Sequence, residues 1–555
     1  MNRLAFIKRT SAAAGLLLAH PLFAAAAEPF TAADAPGSAV RLQPLSLEQS
    51  LRLAGQNLLG MLNPEDHYLP YWELSVNPEC GAALNRWWPA HNLGRWLDAM
   101  LRLKHTVGFE IPEPIETAMA ENAQRFFDNP DHISLNPHTA EDGLAWDLHS
   151  LREGMLALNA LARWHRSEWA AEKGRKMIQS LDAKLRPDGT WELEKFDACQ
   201  KRGREVLHNT SPCDTHGRML EAVIWFFEIT RDPTALRFAE RLAEYHFQNT
   251  VARGGVLPAS AKADHTHSYL GTLRGLLLYG RLTRQQEYVG RVAAAYRVNV
   301  PRLVKESGYT SHNMVRESFG ETSSPGAAAQ LALWLAEAGN SEFLDDAERI
   351  VRARILPSQI WQTPPLHAIA QHGKDATRDL ERRILGGYGG CHNHPHAHKH
   401  PVTDVTAADV HTLLDIYQHI VLSDEKTLEV FFHLDCDTPT AKVMCRRENS
   451  GELTVLPKVD RAVAIRVPRW TSRESIRVQV GRDKVDPVYA GHFAQLGRVP
   501  AGVTITMTYD LPRRQTKETD LGVLYEIYWQ GDGVVGVKPN TKFYPFYPDA
   551  PGHSG

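Results

Sequence analysis

"MLEAVIWFFEITRDPTALRFAERLAEY", residues 219–245, reads as an apolar helix, a short polar turn and a second helix rich in Ala, Arg and Glu. The same pattern recurs as "LGTLRGLLLYGRLTRQQEYVGRVAAAY" at 270–296 and "AAAQLALWLAEAGNSEFLDDAERIVRA" at 327–353. Its turns fall near Thr230, Thr283 and Gly339, roughly 55 residues apart, and self-similar helical hairpins of that period imply stacked or ring-closed pairs of helices. Upstream, "HNLGRWLDAMLRL" (91–103) places Leu93, Trp96, Leu97, Met100 and Leu101 at the i, i+3, i+4, i+7, i+8 positions of an amphipathic helix. The helical pattern runs from about residue 45 to residue 425.

Beyond residue 425 the period changes to two. "TLEVFFHL", "GELTVLPKV", "AVAIRVPRW", "SIRVQV", "VTITMTYDL" and "LYEIYW" are short β-rich runs separated by Gly, Pro, Asp and Asn, the pattern of a β-sandwich. The expected architecture is therefore an all-α helical-hairpin toroid, an (α/α)6 barrel, over 45–425, followed by a β-sandwich over 426–548. A helical toroid offers one deep pocket where the ends of its inner helices meet, and chemistry is expected there.

Bulk properties narrow the function classes. The chain has 555 residues, 43% apolar and 23% charged, as a soluble multidomain protein has. A net charge of -3 gives no electrostatic footprint for nucleic acid or an anionic membrane. Residues 1–27 carry Arg3, Lys8 and Arg9, an apolar run and then small residues, the order of a cleaved export signal, so a periplasmic or secreted protein is expected. No later segment holds about eighteen uninterrupted apolar residues, so no membrane insertion is expected. Six scattered cysteines do not form a disulfide scaffold; Cys199–Cys213 and Cys436–Cys445 are close enough in sequence to be tried as bridges. The sequence is silent on oligomeric state.

Several stretches resemble glycoside hydrolase family 127, the β-L-arabinofuranosidase type of six-hairpin glycosidase. They are "HNLGRWLDAML", "WDLHSLREGMLAL", "DTHGRMLEAVIWFFEITRD", "HTHSYLGTLRGLLL", "GETSSPGAAAQLALWLAEAGNSEFLDDAER" and "AVAIRVPRWTSRESIRVQV…AGHFAQL", spread over about residues 50–515. The resemblance implies a helical toroid with a β-domain, and histidines His149, His216 and His267 at the starts of helices that contact substrate. It also implies zinc, held by a Glu-x-Cys pair and a later Cys-x-Cys-Cys-Pro run that carries a cysteine nucleophile. The chain departs from this pattern. Glu321-Thr322-Ser323 stands where Glu-x-Cys is expected. The cysteine run is matched by "CHNHP", with Cys391 and His394 at two of its cysteines, or by "VTDVTAADVHTLLDIYQHI", with Thr403 and Asp404 over the adjacent pair. Under either alignment the nucleophile position is not cysteine.

The residues present can still carry glycoside chemistry. Cleavage needs a proton donor and either a nucleophile or an activated water. "MVRESFGETSS" (314–324) offers Glu317 and Glu321, which on a helix would share a face and raise the pKa of one. His149, His216 and His267 recur at equivalent helix starts, with Trp146 and Asp214 beside them. Trp146 suits sugar stacking. "GGYGGCHNHPHAHKHP" (386–401) sets His392, His394, His396, His398 and His400 at alternate positions, so His392 and His394 join the substrate-facing candidates. Glu321, Cys391 and His394 are the expected zinc ligands, although a histidine tract of this kind is often a surface loop.

The leading expectation is an exported glycoside hydrolase acting on oligo- or polysaccharide-derived glycans with glutamate acid/base chemistry. A polysaccharide lyase using His216 or His267 with Arg95 is the first alternative, and a catalytically inactive carbohydrate-binding protein the second.

Overall fold

The computed structural model describes residues 46–77, 81–85, 87–135, 147–197, 211–258, 261, 263–362, 375–391, 394–398, 400–542 and 544–550. Its helices are α1 (Leu47–Gly60), α2 (Pro89–Val107), α3 (Glu113–Phe126), α4 (Leu151–Trp164), α5 (Glu168–Asp182), α6 (Arg218–Thr230), α7 (Pro233–Asn249), α8 (Thr266–Thr283), α9 (Gln286–Leu303), α10 (Ser323–Glu337), α11 (Leu344–Ile350), α12 (Leu380–Arg383) and α13 (Thr403–Gln418). Two compact units emerge. The larger takes Gln49–Leu331 and Ser358–Leu414; the smaller takes Ala332–Pro357 and the chain from Asp415 onward. The units thus do not part at a single point near residue 425.

In the larger unit, inner and outer helices differ as their sequences require. Every residue of α4 from Leu151 to Leu161 is buried, and α2 is buried from Pro89 to Leu101. By contrast α5 buries only Ala170, Gly174, Met177, Ile178 and Leu181, one stripe of a helix with its other face in water. The turns expected in the repeats are present. Each hairpin reverses through a left-handed residue, Arg231 (φ 59°), Arg284 (φ 60°) and Gly339 (φ 102°). Pro233 then opens α7 behind the Asp232 cap, whose carboxylate accepts from Thr234 N at 2.8 Å.

Inner helices α2, α4, α6, α8, α10 and α13 meet in succession around a ring. Gly94 of α2 lies against α4 so closely that an added Cβ would sit 1.9 Å from the Glu153 carbonyl oxygen. Arg218 of α6 bonds Glu153 of α4 at 2.7 Å, and Arg274 of α8 bonds both Glu221 of α6 (2.9 Å) and Gln330 of α10. Gly326 of α10 packs on Asp409 and Thr412 of α13, and His411 of α13 pairs with Asp98 of α2 at 2.8 Å, which closes the ring. Around this ring the helices are joined by buried, charge-assisted hydrogen bonds as well as by apolar packing.

The smaller unit is a β-sandwich. One sheet orders six strands as Cys436–Asp437, Ala441–Arg447, Ser450–Pro457, Ile505–Asp510, Arg477–Val480 and Asp483–Val485. The other orders five as Val488–Ala490, Phe493–Val499, Arg461–Arg466, Thr427–Val430 and Val421–Ser423. Burial alternates strictly along Ser450–Pro457, as a strand with one face on the core requires. Each expected run contains a strand, but the last, Val523–Gln530, belongs to a separate three-stranded sheet with Arg513–Asp520 and Gly533–Lys538. The Cys436–Cys445 bridge does not form: Cys436 faces Val443 and Cys445 faces Leu453 across neighbouring strands, and both thiols are free. Cys213 is likewise a free, buried thiol, and its partner in the other expected pairing, Cys199, lies outside the described residues.

Candidate active site

A cavity of about 570 Å³ opens within the larger unit where the inner helices begin. His91 comes from the first turn of α2, Asp147 and His149 from the lead into α4, and Arg218 is the first residue of α6. Asp264, His265 and His267 stand at the start of α8, Glu321 just before α10, and Asp404 in the first turn of α13. A small sheet supplies one wall: Gly320–Glu321 pairs with Gly389–Cys391, which pairs with His400–Pro401.

Asp404 is set as a fixed anion. Its Oδ1 is 2.7 Å from Arg95 Nε and 2.9 Å from His91 Nε2, and the residue lines the cavity. Burial alone would raise this carboxyl, but Arg95 and His91 outweigh it and hold Asp404 far below the usual carboxylate range. Arg95 also meets Glu153, whose carboxylate lies 3.1 Å from Arg95, 2.9 Å from Arg152 and 2.7 Å from Arg218.

Histidines and acids form another part of the wall. His312 Nδ1 is 3.2 Å from Glu321 Oε1, and His265 Nε2 is 4.0 Å from Glu321 Oε2. Burial would raise Glu321; His312 and His265 overcome it and keep the carboxyl ionised. The same contact raises His312 against the effect of burial. Burial, together with the Asp264 carboxyl, pushes Asp214 upward, while His265 pulls the other way. His149 and His267 are held neutral by burial and by Arg218 and Arg95 respectively.

Three tryptophans form the aromatic face. Trp72 and Trp87 meet edge to face at 4.8 Å, and Trp87 keeps 38% of its surface exposed. Trp88, in a left-handed conformation (φ 52°), stacks on His91 with ring centres 4.6 Å apart, and its indole N–H is buried with no hydrogen-bond acceptor among the described residues.

The structure gathers some of the sequence candidates here and disperses others. His149, His267 and Glu321 line the cavity. Asp214 sits behind it, its carbonyl oxygen 2.9 Å from His149 Nδ1, so that nitrogen carries the hydrogen. Glu317 does not share a helix face with Glu321: the stretch is not helical, and Glu317 is exposed outside the cavity lining. His216 is fully buried away from the cavity, donating from Nε2 to the Gly189 carbonyl oxygen (3.0 Å) with Nδ1 3.0 Å from His246. His394 is half-buried, its Nδ1 accepting from His396 N, and of the described tract histidines His400 reaches the cavity, 3.0 Å from Glu73. Trp146 and His392 lie outside the described residues. Sequence reasoning missed His91, His265, His312 and the Trp72–Trp87–Trp88 group. It met Asp404 only in the rival alignment of the cysteine run. The tryptophan doublet and the His-Thr-His at 265–267 were the available signals.

Buried His216 gives a pH prediction. Burial depresses its imidazole to about 4, against an ordinary value near 6.5. The unfolded chain therefore binds more protons between pH 6.5 and 4, and stability falls as pH drops through that window, by about 3 kcal/mol from this group. Urea titrations at pH 7 and pH 4 should show the loss, and the double variant His216→Gln, His246→Gln should show a shallower slope.

The zinc set implied by the resemblance does not assemble. Cys391 is 1% exposed with Sγ directed at the Gly320 carbonyl oxygen (3.4 Å), and neither it nor His394 converges with Glu321. Within the larger unit, two other groups of ligand atoms do converge within 4.8 Å: His265–His312–Glu321 and His91–Glu153–Asp404. Arg95, Arg152 and Arg218 already compensate the second group, which disfavours a cation there.

No family model matches the chain, and no curated protein sequence matches it. Its fold matches solved structures. A GH127 β-L-arabinofuranosidase from Geobacillus stearothermophilus T6 aligns with a TM-score of 0.53 at 13% identity, over 88% of this chain and 80% of that one. A further glycoside hydrolase aligns at 0.52 with 12% identity, over 84% and 83%, and a GH127 β-arabinofuranosidase at 0.50 with 12% identity, over 89% and 81%. At such identities the likeness is one of architecture: a six-hairpin toroid and a β-sandwich in one chain.

Proposed function

We propose that the protein is an exported glycoside hydrolase acting on polysaccharide-derived glycans, with Asp404 as one of its two working carboxylates. The observation that carries this is the cavity placement of Asp404, held ionised by Arg95 and His91. Positive charge develops at the anomeric carbon as a glycosidic bond breaks, and a preoriented anion stabilises it without reorganising. One of the two alignments to the GH127 pattern sets Thr403 and Asp404 over the adjacent cysteine pair, so a carboxylate would stand at one position that the family gives to sulfur. Trp87 offers an exposed ring on which a sugar can stack. The export signal at residues 1–27 supports action outside the cytoplasm.

A second group must protonate the leaving oxygen, and among the cavity carboxyls Asp264 is the candidate, because His312 and His265 hold Glu321 ionised. Leaving-group dependence tests it. Asp264→Asn keeps near-parental rates on aryl glycosides with acidic phenols. It loses about 100-fold or more on alkyl glycosides. Absence of hydrolysis across a panel of aryl furanosides and pyranosides would overturn the proposal.

A further inference from the structure

We propose that His265, His312 and Glu321 form a divalent-metal site on the cavity wall, and that zinc is the ion it takes. Its donor set differs from the one the family resemblance implies: two imidazoles from elsewhere in the chain, His265 and His312, join Glu321, and no sulfur takes part.

The geometry is close to a zinc site before any ion is added. Tetrahedral zinc with bonds of about 2.0–2.1 Å needs ligand atoms about 3.3 Å apart. Here the Glu321 carboxylate lies 3.2 Å from His312 Nδ1 and 4.0 Å from His265 Nε2. All three ligand atoms lie within 4.8 Å of one another.

The orientation of His265 argues for the same reading. Its Nδ1 is 2.8 Å from Ser268 Oγ and 4.0 Å from Asp214 Oδ1, two oxygens able to accept a hydrogen from Nδ1. In that tautomer the Nε2 lone pair faces Glu321, 4.0 Å away, in a buried position with no hydrogen-bond partner among the described residues. A lone pair directed at a carboxylate needs a proton or a cation between them. Ligating histidines are held in this way, the far nitrogen fixed by a hydroxyl or a carboxylate.

The scaffold is rigid on each side. His312 is anchored through its backbone to Thr266 N (2.9 Å) and Phe319 O (2.8 Å), and its ring stacks on Phe319 at 4.6 Å. Glu321 is fixed by its strand pairing with Gly390. Ser323, at the position where the family's second ligand is expected, donates to Glu321 Oε2 at 3.4 Å and so supports the ligand instead of replacing it. Three protein donors facing a cavity leave a coordination position open, the arrangement of a catalytic rather than a structural zinc. Two imidazoles and a carboxylate suit zinc, although cobalt and nickel also bind such sets.

Metal binding does not depend on the proposed hydrolysis, so it is read without activity. Untagged, EDTA-stripped protein is titrated with zinc chloride by calorimetry. The expected result is one zinc per chain, weakened about 100-fold or more in His265→Ala and in His312→Ala and unchanged in His394→Ala. Failure of one equivalent to bind overturns the site, as does binding that survives the double variant or disappears with His394→Ala. Cobalt-substituted wild-type protein keeps the test valid if a variant misfolds. Its spectrum should show nitrogen and oxygen ligation without a thiolate charge-transfer band, and such a band would place Cys391 at the metal and overturn the proposal.

Discussion

Asp404→Asn should fold and yet hydrolyse glycosides about 1,000-fold more slowly, a loss of about 4 kcal/mol of transition-state stabilisation. The amide is isosteric, so His91 keeps an acceptor, and Arg95 keeps Glu153 at 3.1 Å. What disappears is the negative charge beside the anomeric carbon. Because that charge matters most when the bond is breaking, kcat should fall while KM changes little. Thermal melting close to that of the parent would confirm an intact fold. Azide rescue of Asp404→Ala would identify the carboxylate as a nucleophile, whereas its absence alongside a low kcat would assign it to water activation or charge stabilisation. Activity within tenfold of the parent in Asp404→Asn would remove Asp404 from the chemistry.

Glu153→Ala should cost about 3–5 kcal/mol of stability, the largest expected loss from a single side chain in the larger unit. Glu153 is fully buried and faces Arg95, Arg152 and Arg218 within 3.1 Å. Burial favours its protonation, but Arg218, His91, Arg95 and Arg152 together bring the carboxyl down to about 2. In the variant Arg152 keeps Glu221 and Arg95 keeps Asp404. Arg218, also at the cavity, loses its bonded carboxylate. A buried guanidinium without its anion is costly, and the site loses the brace behind Arg95 at the same time. Urea unfolding measures the first effect, and a loss below 1 kcal/mol would show that the arginines find water or other partners.

The comparison of sequence and structure turns on how far each signal travels along the chain. The hairpin turns at Thr230, Thr283 and Gly339 were legible because a helix, a polar break and a left-handed residue all lie within one short window. His149 and His267 were legible for the same reason, as each stands at a recognisable helix start. Glu317 failed because its role required a helix through 314–324, and that stretch instead folds back with Ser311 bridged to Gly320. Cys391 failed because strand pairing turns its thiol toward the Gly320 backbone rather than the cavity. His216 stood at an equivalent helix start, yet it is buried against His246 and Gly189, away from the cavity.

By itself, then, the sequence determined the toroid, the sandwich and the ring of helix starts where chemistry belongs, because periodicity and turn residues are local properties. Tertiary structure alone decided which side chains meet at that ring. His91 and Asp404 are 313 positions apart, and His265 and Glu321 come from different hairpins, yet they face one cavity. Closing a ring of helices brings the first and last of them together, and no window of sequence contains both.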